Sequence, residues 1–176
     1  PFLNKNDIEQ AKNINIKTVE ALKSEYGEGY KGILYGGFMA TSNGVKLIEY
    51  NARLGDPEAM NVLSILDTDL IDICNAIGAG TLDELDVSFQ AKATVCKYAV
   101  PKGYPDNPTK GKVIDISSVS KKNSLFFASV EAKDNKILEA GSRTIAAIGI
   151  ADSISEAEEI AEEQISRVKG PLFHRK

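Results

Sequence analysis

The stretch that decides the fold covers residues 45–58 and reads VKLIEYNARLGDPE. Its first half has the pattern of a β-strand, and side chains two residues apart on a strand point to the same face. Glu49, Asn51 and Arg53 are therefore expected to share one face. A carboxylate, an amide oxygen and a guanidinium suit a hard cation and its phosphates, because Mg²⁺ takes oxygen ligands and usually shares them with a nucleotide.

The residues around this stretch predict a hairpin and then a helix. Residues 31–41 favour a strand, and Ser42-Asn43-Gly44 between two apolar runs is a strong hairpin signal. Within the first strand, Gly36-Gly37 indicates a bulge, a close approach to the backbone or a simple strand irregularity. After the turn at Gly55, Asp56 is expected to cap a helix that starts at Pro57.

The rest of the chain is expected to contain three more helices and a group of short strands. Apolar spacing predicts a helix over residues 6–26, with Asn6 and Glu9 as a capping box. The helix that starts at Pro57 is expected to run to residue 66, and residues 69–79 predict another helix. Short strands are expected over 91–100, 111–117, 125–132, 136–139 and 144–151, which is typical of a small β-sandwich or barrel-like unit. A closing helix over 155–168 has Ser155 and Glu158 as its expected capping box.

Composition argues against several classes of protein. The 176 residues carry a formal net charge of -4 with no basic run, which argues against a nucleic-acid partner. No apolar stretch approaches the roughly 20 residues that span a bilayer. Cys74 and Cys96 are interpreted as reduced, buried thiols of a cytoplasmic protein. The single histidine, His174, makes a Cys/His dyad or a zinc site improbable.

From the residues alone, two interpretations of the 45–58 stretch stay open. One is the metal and phosphate site, and the other is a strand edge whose Glu49 and Arg53 simply face water. A weaker candidate is the loop at Gly103-Tyr104-Pro105, where Lys102 and Tyr104 could line an active site but more often mark a plain turn.

Residues 29–63 resemble the second half of an ATP-grasp domain, and more narrowly the phosphoribosylamine–glycine ligase family. The family segment G-x-L-Y-x-G-[LF]-M is found at Gly32–Met39, and E-[FY]-N-x-R-[FL]-G-D-P-E at Glu49–Glu58, with Leu54 where Phe is commoner. Residues 99–111, the Phe126-Phe127-Ala128 run and Gly141-Ser142-Arg143 are similar to later parts of the family. The resemblance covers nearly the whole chain.

The resemblance implies an α+β fold. Residues 1–80 are expected to be the second half of an ATP-grasp domain, made of a helix, an antiparallel hairpin and helices. Residues 81–88 are expected to be a linker, and residues 89–176 a small β-rich C-terminal domain with a closing helix. The family's enzyme is more than twice this length, so the chain is interpreted as the C-terminal portion alone, inactive without its N-terminal half.

The resemblance also implies an activity and a set of site residues. The parent reaction joins glycine to 5-phosphoribosylamine through glycyl phosphate, with ATP as co-substrate. Glu49 and Asn51 are expected to hold Mg²⁺ or Mn²⁺, and Arg53 to contact ATP and to stabilise charge on the transferring phosphoryl group. Asp56 and Glu58 are expected at the substrate end, although Asp56 also suits a helix cap. The expected partners are these small molecules and the missing half, with no nucleic acid and no membrane.

Three alternatives remain. The chain could belong to another ATP-grasp carboxylate–amine ligase or to a carboxylase, against which the Gly-Asp-Pro-Glu block counts. Its β-rich half could be a biotinyl or lipoyl carrier, for which Lys102 and Lys136 are the nearest acceptor candidates. It could also act as a non-catalytic interaction domain.

Overall fold

The computed structural model describes residues 3–174, apart from the side chain of Asn123. In chain order, these residues form α1 (Lys5–Tyr26), β1 (Tyr35–Thr41), β2 (Gly44–Asn51), α2 (Glu58–Leu63), α3 (Leu70–Ala79), β3 (Ala93–Pro101), β4 (Val113–Ile114), β5 (Leu125–Phe127), β6 (Val130–Lys133), β7 (Lys136–Glu139), β8 (Ile145–Ala151), α4 (Ile154–Ile165) and β9 (Leu172–His174). Single 3₁₀ turns cover Leu82–Glu84 and Lys122–Ser124. The predicted α+β class is confirmed.

The described chain separates into two compact units, one of residues 3–56 and 68–88 and the other of residues 57–67 and 89–174. The predicted division differs at two places, because residues 57–67 cluster with the second unit and residues 81–88 with the first. Hydrogen bonds explain the first difference. Asn61 Nδ2 donates to Thr94 Oγ1 over 3.0 Å, and the Gln90 amide donates to the Ile65 carbonyl over 2.8 Å.

In the first unit, α1 starts from a capping box that lies earlier than the predicted one. The Asp7 amide donates to Asn4 Oδ1 over 2.9 Å, and the Asn4 amide donates to Asp7 Oδ2 over 3.3 Å. The predicted box of Asn6 and Glu9 is wrong, since Asn6 already lies inside the helix. The predicted end of the helix at residue 26 is confirmed, because Gly27 follows with a φ of 76° that favours glycine.

The hairpin of β1 and β2 packs one face on α1. The Tyr50 hydroxyl lies 2.8 Å from Asn15 Oδ1 and 3.1 Å from Thr18 Oγ1, both on the helix. At the other end of β2, the Val45 amide donates to Gln10 Oε1 over 3.1 Å. These contacts define an inner hairpin face toward α1 and leave the opposite face for a site.

The second unit is the predicted β-rich part, built as two antiparallel sheets with strand orders β5-β8-β3-β9 and β4-β7-β6. Helix α4 packs on β3 and β8. The core cluster of the second unit consists of Ala99, Val119, Leu125, Ile145, Ala147 and Ile165. Strand β9 was not expected, because its three residues carry no periodicity and it exists only through pairing with β3.

Helix α4 also begins earlier than its predicted box. The Glu156 amide donates to Ser153 Oγ over 3.3 Å, and the Ser153 amide donates to Glu156 Oε2 over 3.1 Å. The predicted pair of Ser155 and Glu158 is wrong, although it has the same spacing. Glu158 instead pairs with Lys97 of β3, a contact that local sequence does not show.

Strand β8 and helix α4 approach closely at Gly149. A Cβ atom built there would lie 1.8 Å from the Ala157 carbonyl oxygen and 2.8 Å from the Ala161 nitrogen. Both neighbours are backbone atoms, which cannot rotate away as a flexible side chain can. Packing, and not backbone conformation, therefore demands glycine at this position.

A charged cluster joins three elements of the second unit. Lys97 Nζ of β3, with a side chain only 10% exposed, contacts Glu158 and lies 2.7 Å from Glu162 Oε2 on α4. Glu162 Oε1 lies 3.0 Å from His174 Nε2 of β9, and it accepts from the Ser166 hydroxyl over 2.9 Å.

These hydrogen bonds shift two pKa values. Donation by Lys97 and then by His174 lowers the pKa of Glu162 to about 2, against a smaller opposing effect of burial. Burial acts to lower the pKa of Lys97, but its hydrogen bonds to Glu158 and Glu162 together outweigh burial and raise it.

Acid is expected to weaken the second unit through Glu162. Its pKa falls from an ordinary value of 4.5 to about 2 on folding. A carboxyl group of this kind stabilises the fold above its unfolded pKa and loses that effect as the pH falls through its folded pKa. The loss is therefore expected between about pH 4.5 and 2. It amounts to at most about 3 kcal/mol, reduced by solvent screening.

The check is urea unfolding of wild type and Glu162→Gln from pH 7 to pH 2. The variant is expected to be less stable at pH 7, and the gap to wild type is expected to close toward pH 2. Glu159→Gln, an exposed carboxylate on the same helix, serves as the matched control with no such gap. A gap that stays constant over the whole range would contradict the assignment.

Two smaller expectations concern the cysteines and the membrane. Cys74 and Cys96 are not joined in a disulfide, but Cys74 is exposed, so its predicted burial is wrong. Within residues 3–174, no helix combines the length and the apolar character needed to cross a bilayer.

Candidate metal and phosphate site on the hairpin

A β-bulge in β2 determines the face of the hairpin to which the side chains of the candidate metal ligands point. Gly37 pairs with Glu49 and Phe38 pairs with Leu47, so Ile48 is an extra residue with no pairing partner in β1. Strict alternation from the buried Val45 would place Glu49 on the inner face, toward α1. The extra residue shifts the alternation by one position, and Glu49 moves to the outer face.

Two glycines of β1 show this change of face. A Cβ built at Gly36 would meet the Phe38 and Tyr50 rings on the inner face. A Cβ built at Gly37 would meet Glu49 Cγ at 3.6 Å on the outer face. The irregularity predicted at Gly36-Gly37 is therefore found as a register shift between Gly37 and Phe38, with the extra residue in the partner strand. Because Gly37 carries no side chain, it leaves the Glu49 carboxylate uncovered on this side.

Glu49 and Asn51 lie together on the outer face. Asn51 Nδ2 donates to Glu49 Oε1 over 3.2 Å, and Glu49 is exposed. Adjacent ligands of an octahedral Mg²⁺ at 2.0–2.1 Å are about 2.9 Å apart, which is close to this separation. Rotation of the Asn51 amide would present its oxygen in place of its nitrogen. The two residues therefore fit Mg²⁺ or Mn²⁺ both in ligand chemistry and in spacing.

Arg53 does not lie on the strand, and this part of the prediction is wrong. Strand β2 ends at Asn51, which pairs with Tyr35 at the start of β1, so Arg53 has no position in the ladder. Its guanidinium is exposed, and Nη1 donates to the Leu54 carbonyl over 2.7 Å. That bond uses one of five N–H donors. The expected role of Arg53 toward ATP and the phosphoryl group stays a prediction.

Asp56 and Glu58 are the expected substrate residues. The expected helix cap at Asp56 is wrong, because Pro57 takes the capping position of α2 and no side chain makes a capping hydrogen bond there. Asp56 is exposed and Glu58 is half-buried in the first turn of the helix. The two residues fall in different compact units, and their role in substrate binding stays a prediction.

Among residues 3–174, acidic, histidine and cysteine side chains do not form a cluster that would supply further metal ligands. In the part of the chain that the structure describes, no three His, Cys, Asp or Glu side chains gather into a group that could hold a metal ion. A cation on the hairpin would therefore rely on the Glu49–Asn51 pair together with phosphate oxygens, water or another polypeptide.

The loop around Gly103-Tyr104-Pro105 is an ordered turn of the second unit. The Thr109 amide donates to the Lys102 carbonyl over 2.9 Å, and the Asn107 amide donates to the Gly103 carbonyl over 2.8 Å. The Tyr104–Pro105 peptide bond is cis. Lys102 is exposed and Tyr104 half-buried. A contribution of these two side chains to an active site stays a prediction.

Comparison with known families agrees with this geometry. Residues 1–59 match the phosphoribosylglycinamide synthetase ATP-grasp (A) domain, which contains the hairpin pair, and residues 94–176 match the C domain of the same synthetase. The chain belongs to the phosphoribosylglycinamide synthetase family. The resemblance to phosphoribosylamine–glycine ligase found in the sequence is thereby confirmed.

Individual members of this family cover the chain from end to end. The chain is 52% identical over 178 residues to phosphoribosylamine–glycine ligase of Methanocaldococcus jannaschii and 51% identical over 176 residues to that of Methanosarcina barkeri. These matches cover 99% and 100% of this chain but only 40% of either relative. A crystal structure of phosphoribosylamine–glycine ligase from Thermotoga maritima matches 99% of this chain and 44% of its own, with a TM-score of 0.82 and 27% identity.

Proposed function

We propose that this chain is part of an ATP-dependent ligase that joins glycine to 5-phosphoribosylamine by way of glycyl phosphate, as a step of purine biosynthesis. The observation that carries the proposal is the Glu49–Asn51 pair, 3.2 Å apart on the outer face of the hairpin. It lies within the segment that matches an ATP-grasp domain. The names of the relatives support the choice of glycine and phosphoribosylamine as substrates.

Glu49 and Asn51 hold the divalent cation in this proposal, Mg²⁺ or Mn²⁺. When bound, the cation neutralises the charge that develops on the ATP phosphates during in-line phosphoryl transfer. The chain's own contribution is to hold two oxygen donors at a fixed separation on a paired strand, so that little reorganisation is needed during the reaction.

Arg53 completes the proposed phosphoryl contact. Its guanidinium is exposed and has further N–H donors besides the one that bonds to Leu54, so it can bind a phosphoryl oxygen in bidentate fashion. Asp56 and Glu58 are proposed to contact the substrate. Both follow Arg53 within five residues, so a short segment carries all the proposed roles.

The proposed partners are ATP, glycine, phosphoribosylamine and a further polypeptide that supplies the remaining ATP contacts. The chain spans 40% of its curated relatives, so this further polypeptide corresponds to the part of those relatives that it does not span. The chain alone is proposed to be inactive, and its cytoplasmic location stays a prediction.

Two measurements test the proposal. By calorimetry, the isolated chain is expected to show no micromolar affinity for Mg²⁺-ATP, because it lacks most of the nucleotide site. The complete ligase is expected to release phosphate from ATP only when both glycine and phosphoribosylamine are present. Equal turnover with bicarbonate in place of glycine would favour a carboxylase instead, and micromolar ATP binding by the isolated chain would contradict the division of the site.

A further inference from the structure

Asn43 and Gly44 form the tip of the hairpin between β1 and β2. Asn43 is exposed, and within residues 3–174 its side-chain amide has no hydrogen-bond partner. Every other asparagine of the sequence is followed by a residue that carries a side chain. The hairpin tip therefore combines an accessible carboxamide with a following residue that places nothing in front of its own backbone nitrogen.

An asparagine followed by glycine can lose ammonia in a reaction with its own backbone. The Gly44 nitrogen attacks Asn43 Cγ and forms a bond to it, the Cγ–Nδ2 bond breaks, and ammonia leaves with the proton of the Gly44 amide. Water then opens the resulting five-membered succinimide at either carbonyl, which gives aspartate or isoaspartate. A side chain on the following residue hinders the attack, and glycine has none.

The hydrogen bonds that hold this turn do not use the Asn43 side chain. Ser42 and Asn43 have negative φ values and Gly44 has a φ of 87°, as in a type I turn followed by a glycine bulge. Thr41 Oγ1 donates to the Gly44 carbonyl over 2.7 Å and accepts from the Asn43 amide over 3.2 Å. The Asn43 carboxamide can therefore rotate toward the Gly44 nitrogen without breaking the turn.

We propose that Asn43 is a site of spontaneous covalent modification in the folded chain, at which deamidation through a succinimide gives aspartate and isoaspartate. The reaction requires only water, and neither a ligand nor a partner takes part. The site thus goes beyond the proposed function and is independent of it, although it lies in the hairpin that carries Glu49 and Asn51.

Isoaspartate at this position would disturb the contact between the hairpin and α1. It adds one carbon atom to the backbone between residues 43 and 44, and it places a negative charge on the exposed tip. A Cβ built at Gly44 would lie 2.6 Å from Gln10 Oε1, and the Val45 amide donates to the same oxygen over 3.1 Å. Because the backbone fits so closely here, the longer chain is expected to break the bond between Val45 and Gln10.

The test is incubation of the full chain in mildly alkaline buffer, followed by peptide mass spectrometry with fragmentation that separates isoaspartate from aspartate. Asn43 is expected to be converted about tenfold or more faster than Asn135, because Gly44 leaves the attacking nitrogen open. Asn135 is the internal control, since it is also exposed in a hairpin turn but precedes Lys136. Asn43→Gln is expected to remove the modification, because glutamine would need a less favourable six-membered ring, and Asn135→Gln is expected to leave it unchanged.

Amide exchange of Val45 measures the effect on the hairpin. It is expected to be about tenfold or more faster in the converted chain, while the amides of β8 in the second unit keep their rates. Circular dichroism checks that both glutamine variants fold. Intact Asn43 after an incubation that converts the urea-unfolded chain would overturn the proposal, as would equal conversion of Asn135. Unchanged deamidation in Asn43→Gln would place the reaction at another residue and overturn it as well.

Discussion

Glu49→Gln in the complete ligase is expected to lower kcat/KM at least about 100-fold, which corresponds to about 3 kcal/mol of transition-state stabilisation. Glutamine keeps the size of the side chain and its hydrogen-bonding capacity toward Asn51 but removes the negative charge proposed to face the cation. The cation would then be bound by a neutral pair. The expected signature is a higher Mg²⁺ concentration for half-maximal rate together with a lower maximal rate.

Asn51→Ala is expected to give a loss of similar size, because it removes one of the two oxygen donors. Glu20→Gln provides the matched control, since Glu20 is an exposed carboxylate on α1 and not part of the hairpin. Steady-state rates over a Mg²⁺ titration measure both effects. Wild-type turnover and wild-type Mg²⁺ dependence in either site variant would show that the pair is only an exposed strand edge.

Gly149→Ala is expected to cause the largest loss of stability of any single methyl addition discussed here, about 3 kcal/mol or more. Overpacking commonly costs about 1–3 kcal/mol, and here the added carbon would meet backbone atoms of α4, with 1.8 Å to the Ala157 oxygen. Strand β8 and helix α4 would have to separate, which opens the core around Ile145 and Ile165. Urea unfolding measures the loss, and amide exchange of β8 residues locates it in the second unit.

Gly78→Ala is the matched control, with an effect of opposite sign. Gly78 lies in α3, and a Cβ there would have no heavy atom within 4 Å. Alanine in a helix is favoured over glycine by about 0.5–1 kcal/mol, so this variant is expected to be more stable. If Gly149→Ala unfolded at the same urea concentration as wild type, the close approach of β8 and α4 would not exist in solution.

Sequence signals that act within a few residues, such as those for turns and helix ends, predict the secondary structure well. The Asn-Gly turn and the predicted ends of α1 at residue 26 and of α3 at residue 79 are all found. The sequence predicts both capping boxes two residues too late, because overlapping candidates share the same spacing. Asn4 and Ser153 form the actual boxes. Spacing alone does not tell which of two overlapping candidates starts the helix.

Tertiary contacts account for what the sequence left out. Strand β9 exists through β3, and α2 joins the second unit through Thr94 and Gln90. In the candidate site, the alternation of side chains along a strand correctly predicts that Glu49 and Asn51 share a face. It does not place Arg53, because β2 ends at Asn51, which pairs with the first residue of β1. Val45 and Glu49 fall in phase on a regular strand, so the buried Val45 and a charged Glu49 would share one face without the register shift between them.

The assignment of residues 57–67 to the second unit affects how this chain can be divided or recombined. The backbone passes from one unit to the other after residues 56, 67 and 88, so neither unit is a continuous stretch of sequence. A cut in residues 81–88 would leave α2 on the wrong fragment, and an exchange of gene segments there would combine a helix and a sheet from different parents. Viable chimeras of this region would need either matched crossovers on both sides of α2 or transfer of the whole chain.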